Sequence, residues 1–223
     1  MKKKSITTNI KKILILTITI FLSQSYNNLL VSQKISNNNN YKNDKIIIDS
    51  DYTLQEALMG STAPDSIIKN LVLLNVEYYS FDKKLHRGQL VLHKELVDDV
   101  LYIFNISKKN KFPISKVIPI VRYNWSDSAS MLDNNTSAFN YRKVAGSNKL
   151  SKHALGKAID INPMQNPYRG RTGKISPKNA KYNIHAEGTL TATHPIVLEL
   201  LKRKWTWGGN WKSIKDWQHF EFP

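Results

Sequence analysis

The 223-residue chain contains no cysteine. Structural disulfides, a Cys-ligated zinc site and anchoring through a lipidated cysteine are therefore excluded. Internal repeats are absent as well, which removes solenoid and propeller architectures. The apolar stretch Ile13–Leu22, ILILTITIFL, falls well short of the ~20 residues that span a bilayer. Acidic side chains are scarce, 17 against 33 Lys and Arg, for a formal net charge of +16. A chain of this length that is 41% hydrophobic can still bury one sizeable core, so disorder throughout is not expected.

The first residues read as an export signal. Lys2, Lys3, Lys4, Lys11 and Lys12 precede the short apolar run, and Ser23 and Ser25 supply small residues for cleavage. Residues 1–25 are thus expected to be a signal peptide, the alternative being a retained anchor, and the protein is expected in the periplasm, the cell envelope or the medium. Without them the chain keeps 28 basic and 17 acidic residues, a net charge of +11. Outside the cytoplasm such a field attracts wall polymers, acidic stem peptides and lipid head groups. The lysines are scattered, with no basic-aromatic run of a nucleic-acid module, so nucleic acid is not the expected partner. Stable membrane insertion after signal cleavage is not expected; the sequence leaves the oligomeric state open, with a monomer the simplest expectation. Residues 26–50, with SQKISNNNNYKNDK at their centre, have the polar, Asn-rich composition of a linker. A single folded domain is expected over 51–223.

Within that domain, STAPDSIIKN predicts a short helix and LVLLNVEYYSF a strand. Leu92, Leu96, Val100, Ile103 and Phe104 form a helical stripe for the core. KVIPIVRY predicts another strand, Ser126–Asn135 a loop, GKAIDIN a short strand, and THPIVLELLKRK a helix beginning near a Thr193 cap and Pro195. The tail after Trp205 is aromatic and predicts a final strand. Helices and strands mixed without regular βαβ alternation give an α+β fold, an antiparallel sheet with flanking helices.

The segment SKHALGKAIDINP contains a chemical anomaly. Asp160 lies within an apolar strand, where an unpaired carboxylate is costly and metal coordination is one of the few arrangements that offsets the cost. His153 precedes a turn at Gly156 that can bring its imidazole back to the same cleft. Far along the chain, DWQHFE offers Asp216 and His219. Two imidazoles and one carboxylate, His153, His219 and Asp160, are a three-ligand set suited to a catalytic metal with one position open, zinc or another divalent ion. Asp216 fits the base that such a site needs. Alone, the pair reads more readily as a surface or capping histidine at His153 and a turn residue at Asp160; the joined pattern is what raises specificity.

Taken together, SKHALGKAID and DWQHFE, with NNTSAFNYRKV upstream and WTWGGNW between, closely resemble the peptidase M15 family of zinc D-Ala-D-Ala carboxypeptidases and L-alanyl-D-glutamate endopeptidases. The resemblance runs from about Ala63 to the C-terminus. It implies a hedgehog/DD-peptidase-like fold over 51–223, Zn2+ held by His153, Asp160 and His219, Asp216 as general base, and Arg142 of FNYRKV as the group that stabilises the oxyanion. Many members carry Glu at the position of Asp216; Asp occurs in the endopeptidase-like branch. The implied activity is hydrolysis of amide bonds in peptidoglycan stem peptides, as carboxypeptidase or as endopeptidase. The alternative is a non-catalytic wall-binding module with a structural zinc. Ser151 is a candidate brace or turn cap; Phe220 and Trp205, Trp207, Trp211 and Trp217 are candidates to line a cleft or pack the core. Asn140, Tyr123 and Tyr141 are candidate substrate contacts, and His86, His93, His185 and His194 are expected to be structural or exposed.

Overall fold

The computed structural model describes residues 46–223. The predicted signal peptide and most of the predicted linker lie outside these residues. The elements are β1 (Ile47–Ile48), α1 (Leu54–Ala57), α2 (Asp65–Ile68), β2 (Leu71–Tyr79), β3 (Leu85–His93), α3 (Val97–Lys109), β4 (Lys116–Val117), α4 (Asp127–Leu132) and β5 (Asn135–Thr136). They continue with β6 (Ala158–Asp160), β7 (Tyr168–Arg169), β8 (Ile175–Ser176), α5 (Pro195–Lys202), β9 (Thr206–Trp207), β10 (Lys215–Asp216) and β11 (His219–Glu221). Short 3-10 turns fill several of the connections. Among the described residues no helix is long and apolar enough to cross a membrane.

The class is α+β, but the single antiparallel sheet expected is replaced by several small ones. Their strand orders are β1-β3-β2, β6-β11-β9 and β10-β7-β8, with a separate β4-β5 pair. The β1-β3 and β4-β5 pairings are parallel. Folded structure also begins before residue 51. Ile47 and Ile48 pair with His86 and Arg87, and the Asp49 carboxylate receives the Tyr78 hydroxyl and a bond from His86 Nδ1 at 3.0 Å.

The β2-β3 hairpin is sandwiched. Leu90 and Leu92 face the main core with Val76, Tyr78, Phe104, Ile159, Leu200 and Phe220, while Val91 faces a second cluster with Ala57, Leu71 and Phe139. This corrects the predicted stripe: Leu92 is in a strand, and α3 starts only at Val97. A spacing of four residues keeps side chains on one side of a strand as well as of a helix, so Leu92 and Leu96 fit both periods. α3 covers β2 with Val100, Ile103 and Phe104 and packs against α5.

Other local differences have equally specific causes. The strand expected in KVIPIVRY stops at Val117, because Pro119 has no N–H for a ladder, and a 3-10 turn over Ile120–Tyr123 follows. The Ser- and Asp-rich loop expected at 126–135 contains α4, whose cap is the Ser126 hydroxyl accepting from Ala129 N at 3.3 Å. α5 is capped by His194, not Thr193: its Nδ1 accepts from Ile196 N at 3.3 Å.

Just after β6, two buried asparagines staple loops to the core. Asn162, at φ 48°, accepts from Ser115 N at 2.9 Å and donates to the Pro113 and Gly188 carbonyls at 2.8 and 3.1 Å. Asn166 donates to Gly188 O at 2.9 Å and accepts from Leu190 N at 2.7 Å.

Replacing Asn162 with Ala strands these partners without water and forces alanine into left-handed backbone. We expect a loss of about 2–3 kcal/mol in chemical denaturation; a loss no larger than that of an exposed-site alanine would refute the stapling role. His194 supplies a pH test. Burial pushes its imidazole down to about 4, against the Phe112 ring at 4.5 Å between centroids. The unfolded chain binds this proton near pH 6.5 and the folded chain only near 4, so His194 costs stability as pH falls through that window and nothing further below it. The His194→Asn variant retains a capping side chain, and its denaturation midpoint should fall less than that of the parent between pH 6.5 and 4. Parallel pH curves for the two proteins would exclude this contribution.

Candidate metal centre

Three buried side chains meet where β6 and β11 cross the main core. Asp160 and His219 are direct cross-strand partners in antiparallel register. The ladder bonds on this side run from Ile161 N to Gln218 O and from Phe222 N to Lys157 O. Asp160 and His219 therefore occupy a non-hydrogen-bonded pair, the position where opposing side chains approach most closely. The Asp160 backbone bonds instead to Ser137 on its other flank, N to O at 2.8 Å and O from N at 3.1 Å.

His153 comes from a 3-10 turn, Lys152–Leu155, that ends at Gly156 with φ 67°. A Cβ at Gly156 would lie 2.7 Å from His93 N, so the turn needs glycine for its backbone angle and for its fit against β3. The Ser151 hydroxyl accepts from His153 N at 3.2 Å, which makes Ser151 the cap of this turn.

A backbone spine from Ser137 to Arg142 holds the pieces together. Ser137 pairs with Asp160, Asn140 N donates to His153 O at 3.1 Å, and Ser151 N donates to Arg142 O at 3.0 Å. The Ala138 carbonyl accepts from His153 Nδ1 at 2.5 Å. That bond fixes the tautomer and leaves His153 Nε2 facing the cluster with its lone pair.

His153 Nε2 lies 3.2 Å from Asp160 Oδ2 and 3.1 Å from His219 Nδ1, which is itself 3.0 Å from Asp160 Oδ1. Tetrahedral bonds of about 2.0–2.1 Å imply ligand separations of roughly 3.3 Å. The three donors, one from each residue, can thus hold a metal ion. On the far side of the second imidazole, His219 Nε2–H donates to Glu221 Oε2 at 3.0 Å. A carboxylate there orients the ring and raises its basicity, as is usual behind a metal-binding histidine. The Trp211 ring leans on His219, 5.5 Å between centroids.

The electrostatics divide the two aspartates. Burial would raise the Asp160 carboxyl, but His153 and His219 outweigh it and hold the group well below the usual carboxylate range. Burial also opposes charge on His219, yet hydrogen bonds to Asp160 and Glu221 and the nearby carboxylates push it up to about 10. Asp216 goes the other way: burial and the Asp160 charge push it up to about 6 against the influence of His219, Gln218 and His153. Its Oδ1 is sealed from solvent with no hydrogen-bond partner among the described residues. The WGG motif makes room for it, since a Cβ at Gly208 would stand 2.5 Å from Asp216 O and 2.8 Å from its Cβ.

Other candidates sort by their contacts. Arg142 Nη2 pairs with Asp127 of α4 at 3.0 Å, and its Nε is buried without a partner among the described residues. Asn140 is buried with Nδ2 unpaired among the described residues, Tyr123 donates to Asp133 at 2.7 Å, and Tyr141 packs on the second cluster. Trp205, Trp207 and Phe220 are core; Trp217 stacks on Tyr182 at 3.9 Å between centroids, with Arg169 over its ring. His86 lies between Asp49 and Asp82, His93 caps the turn before α3, and His185 is exposed. Sequence reasoning assigned no role to Glu221 or to the Ala138 carbonyl. Glu221 had a signal, its place two residues after His219 on one strand; a backbone carbonyl has none.

Comparison with known families matches residues 145–222 to the one described as D-alanyl-D-alanine carboxypeptidase, a group of the M15 peptidases. Neither the curated proteins nor the solved structures give a match. Every one of the three clustered donors lies within the matched stretch.

Removing the outer carboxylate with Glu221→Ala should weaken divalent-metal binding by about 10- to 100-fold in a chelator competition titration. Unchanged affinity would mean that Glu221 does not orient His219.

Proposed function

On the premise that residues 145–222 belong to the M15 peptidase family, we propose that this protein is an exported zinc peptidase that hydrolyses amide bonds in peptidoglycan stem peptides. The observation that carries the reading is the convergence of His153, Asp160 and His219 beside an aspartate of raised pKa. When bound, zinc supplies Lewis acidity that polarises a carbonyl and acidifies water.

The chain's own groups do the rest. His153 Nε2, His219 Nδ1 and the Asp160 carboxylate are the ligands, with the Ala138 carbonyl and Glu221 keeping each ring in the tautomer that presents a lone pair. Asp216 takes the proton from the attacking water and returns it to the leaving amine. A carboxyl near 6 suits that exchange close to neutral pH, because it neither holds nor refuses the proton strongly. Arg142 stabilises the oxyanion, its guanidinium kept in place by Asp127. The lysine-rich leader supports export, and the basic surface suits an acidic wall substrate. The hedgehog/DD-peptidase-like fold goes with the same reading.

The test measures metal content and muropeptide hydrolysis on the same preparations of parent and Asp216→Ala. We expect one zinc per chain in both, and cleavage reduced by about 10²- to 10⁴-fold in the variant. Mass analysis of the products identifies the bond: loss of a terminal D-alanine marks a carboxypeptidase, a cut between L-alanine and D-glutamate an endopeptidase. A parent that holds zinc and cuts nothing supports the wall-binding alternative. A parent that holds no metal overturns the proposal.

A further inference from the structure

Between Asp160 and Glu187 the chain carries five basic residues, Arg169, Arg171, Lys174, Lys178 and Lys181, and no acidic one. Among the described residues none of the five has an acidic partner. Such an uncompensated run raises the local positive potential and attracts anions.

Lys174 and Lys178 border a cleft of about 470 Å³. Its other walls include Met131 and the exposed Leu132 of α4, and Ile175 and Ser176 of β8. That volume falls in the range of roughly 300–1,000 Å³ that holds small ligands. A cleft with aliphatic side chains and two lysines along its border suits an occupant with short apolar side chains and a negative charge.

Both walls lead to the metal centre. Ser176 pairs with Tyr168, and Tyr168 with Asp216. The three therefore stand abreast on neighbouring strands, and at ~4.8 Å per strand Ser176 lies about 10 Å from Asp216. On the opposite side, Met131 Sδ lies 3.6 Å from Nε2 of Gln218, the residue before His219. The same helix supplies Asp127, the partner of Arg142.

We propose that this cleft is a substrate subsite in which Lys174 and Lys178 bind a carboxylate of the peptide. An extended peptide advances ~3.3 Å per residue, which puts that carboxylate about three residues from the bond at Asp216. The assignment rests on the peptidase reading for its substrate class, but its test does not require cleavage.

Binding is measured by calorimetry on the full chain carrying Asp216→Ala, with three peptides: acetyl-L-Ala-γ-D-Glu-L-Lys-D-Ala, the same peptide amidated at the glutamyl α-carboxylate, and the same peptide amidated at the C-terminus. One of the two amidations should weaken binding by about fivefold, the size expected for two partly exposed ion pairs. Adding Lys174→Ala and Lys178→Ala should abolish that difference. Equal affinity for all three peptides, no binding of any, or a difference that survives loss of both lysines would each overturn the subsite. If the difference holds while muropeptides are never cut, the peptidase reading falls and the anion-binding cleft stands. If cutting holds and the difference is missing, the subsite alone falls.

Discussion

A carboxylate buried between two imidazoles is the constraint on which this domain is built. Asp160 is nearly removed from solvent at the edge of the main core, beside Ile159, Ile161 and Phe220. A lone ionised carboxylate in that position would cost several kcal/mol. His153 and His219 remove the penalty, and each is itself fixed from behind, one by a carbonyl and one by a carboxylate. The surrounding backbone is arranged to deliver these groups. The Ser137–Arg142 spine bonds to both β6 and the His153 turn, and β11 brings His219 across from Asp160.

Asp216 stands outside this closed set and differs from it in every respect that matters for chemistry. Asp160 is held ionised between two imidazoles, whereas Asp216 has one oxygen without a partner among the described residues and a raised affinity for protons. Two aspartates in one small volume are thereby given opposite proton affinities by their neighbours alone. Glycine 208 has a part in this, because any side chain there would displace the strand that carries Asp216.

Much of the centre was legible because its residues are chemically conspicuous. A carboxylate in AIDIN and an imidazole in QHFE are out of place in apolar strands unless something pairs with them. The α2-β2 order, the β6 strand and the α5 helix followed from local patterns that tertiary contacts did not override. What stayed hidden depends on partners far along the chain. Leu92 satisfied helix and strand spacing alike, and only its position in a two-sided hairpin decides between them. Asn162 and Asn166 look like loop residues, yet they are interior because distant carbonyls and amides need them. Ile47 and Ile48 stand at the end of a polar stretch, and the partners that make them a strand lie on β3, almost forty residues away.

The cross-strand position of Asp160 and His219 ties the geometry of the three-donor cluster to strand registration. Along β11, side chains alternate between faces, so a slip of one residue against β6 would set Gln218 or Phe220 opposite Asp160 and turn the imidazole away. A slipped strand would also bury an unpaired carboxylate and expel an aromatic ring from the core. The misaligned pairing is therefore penalised by the same carboxylate that it disables, and the metal-ligating geometry acts as an internal proofreader of the fold.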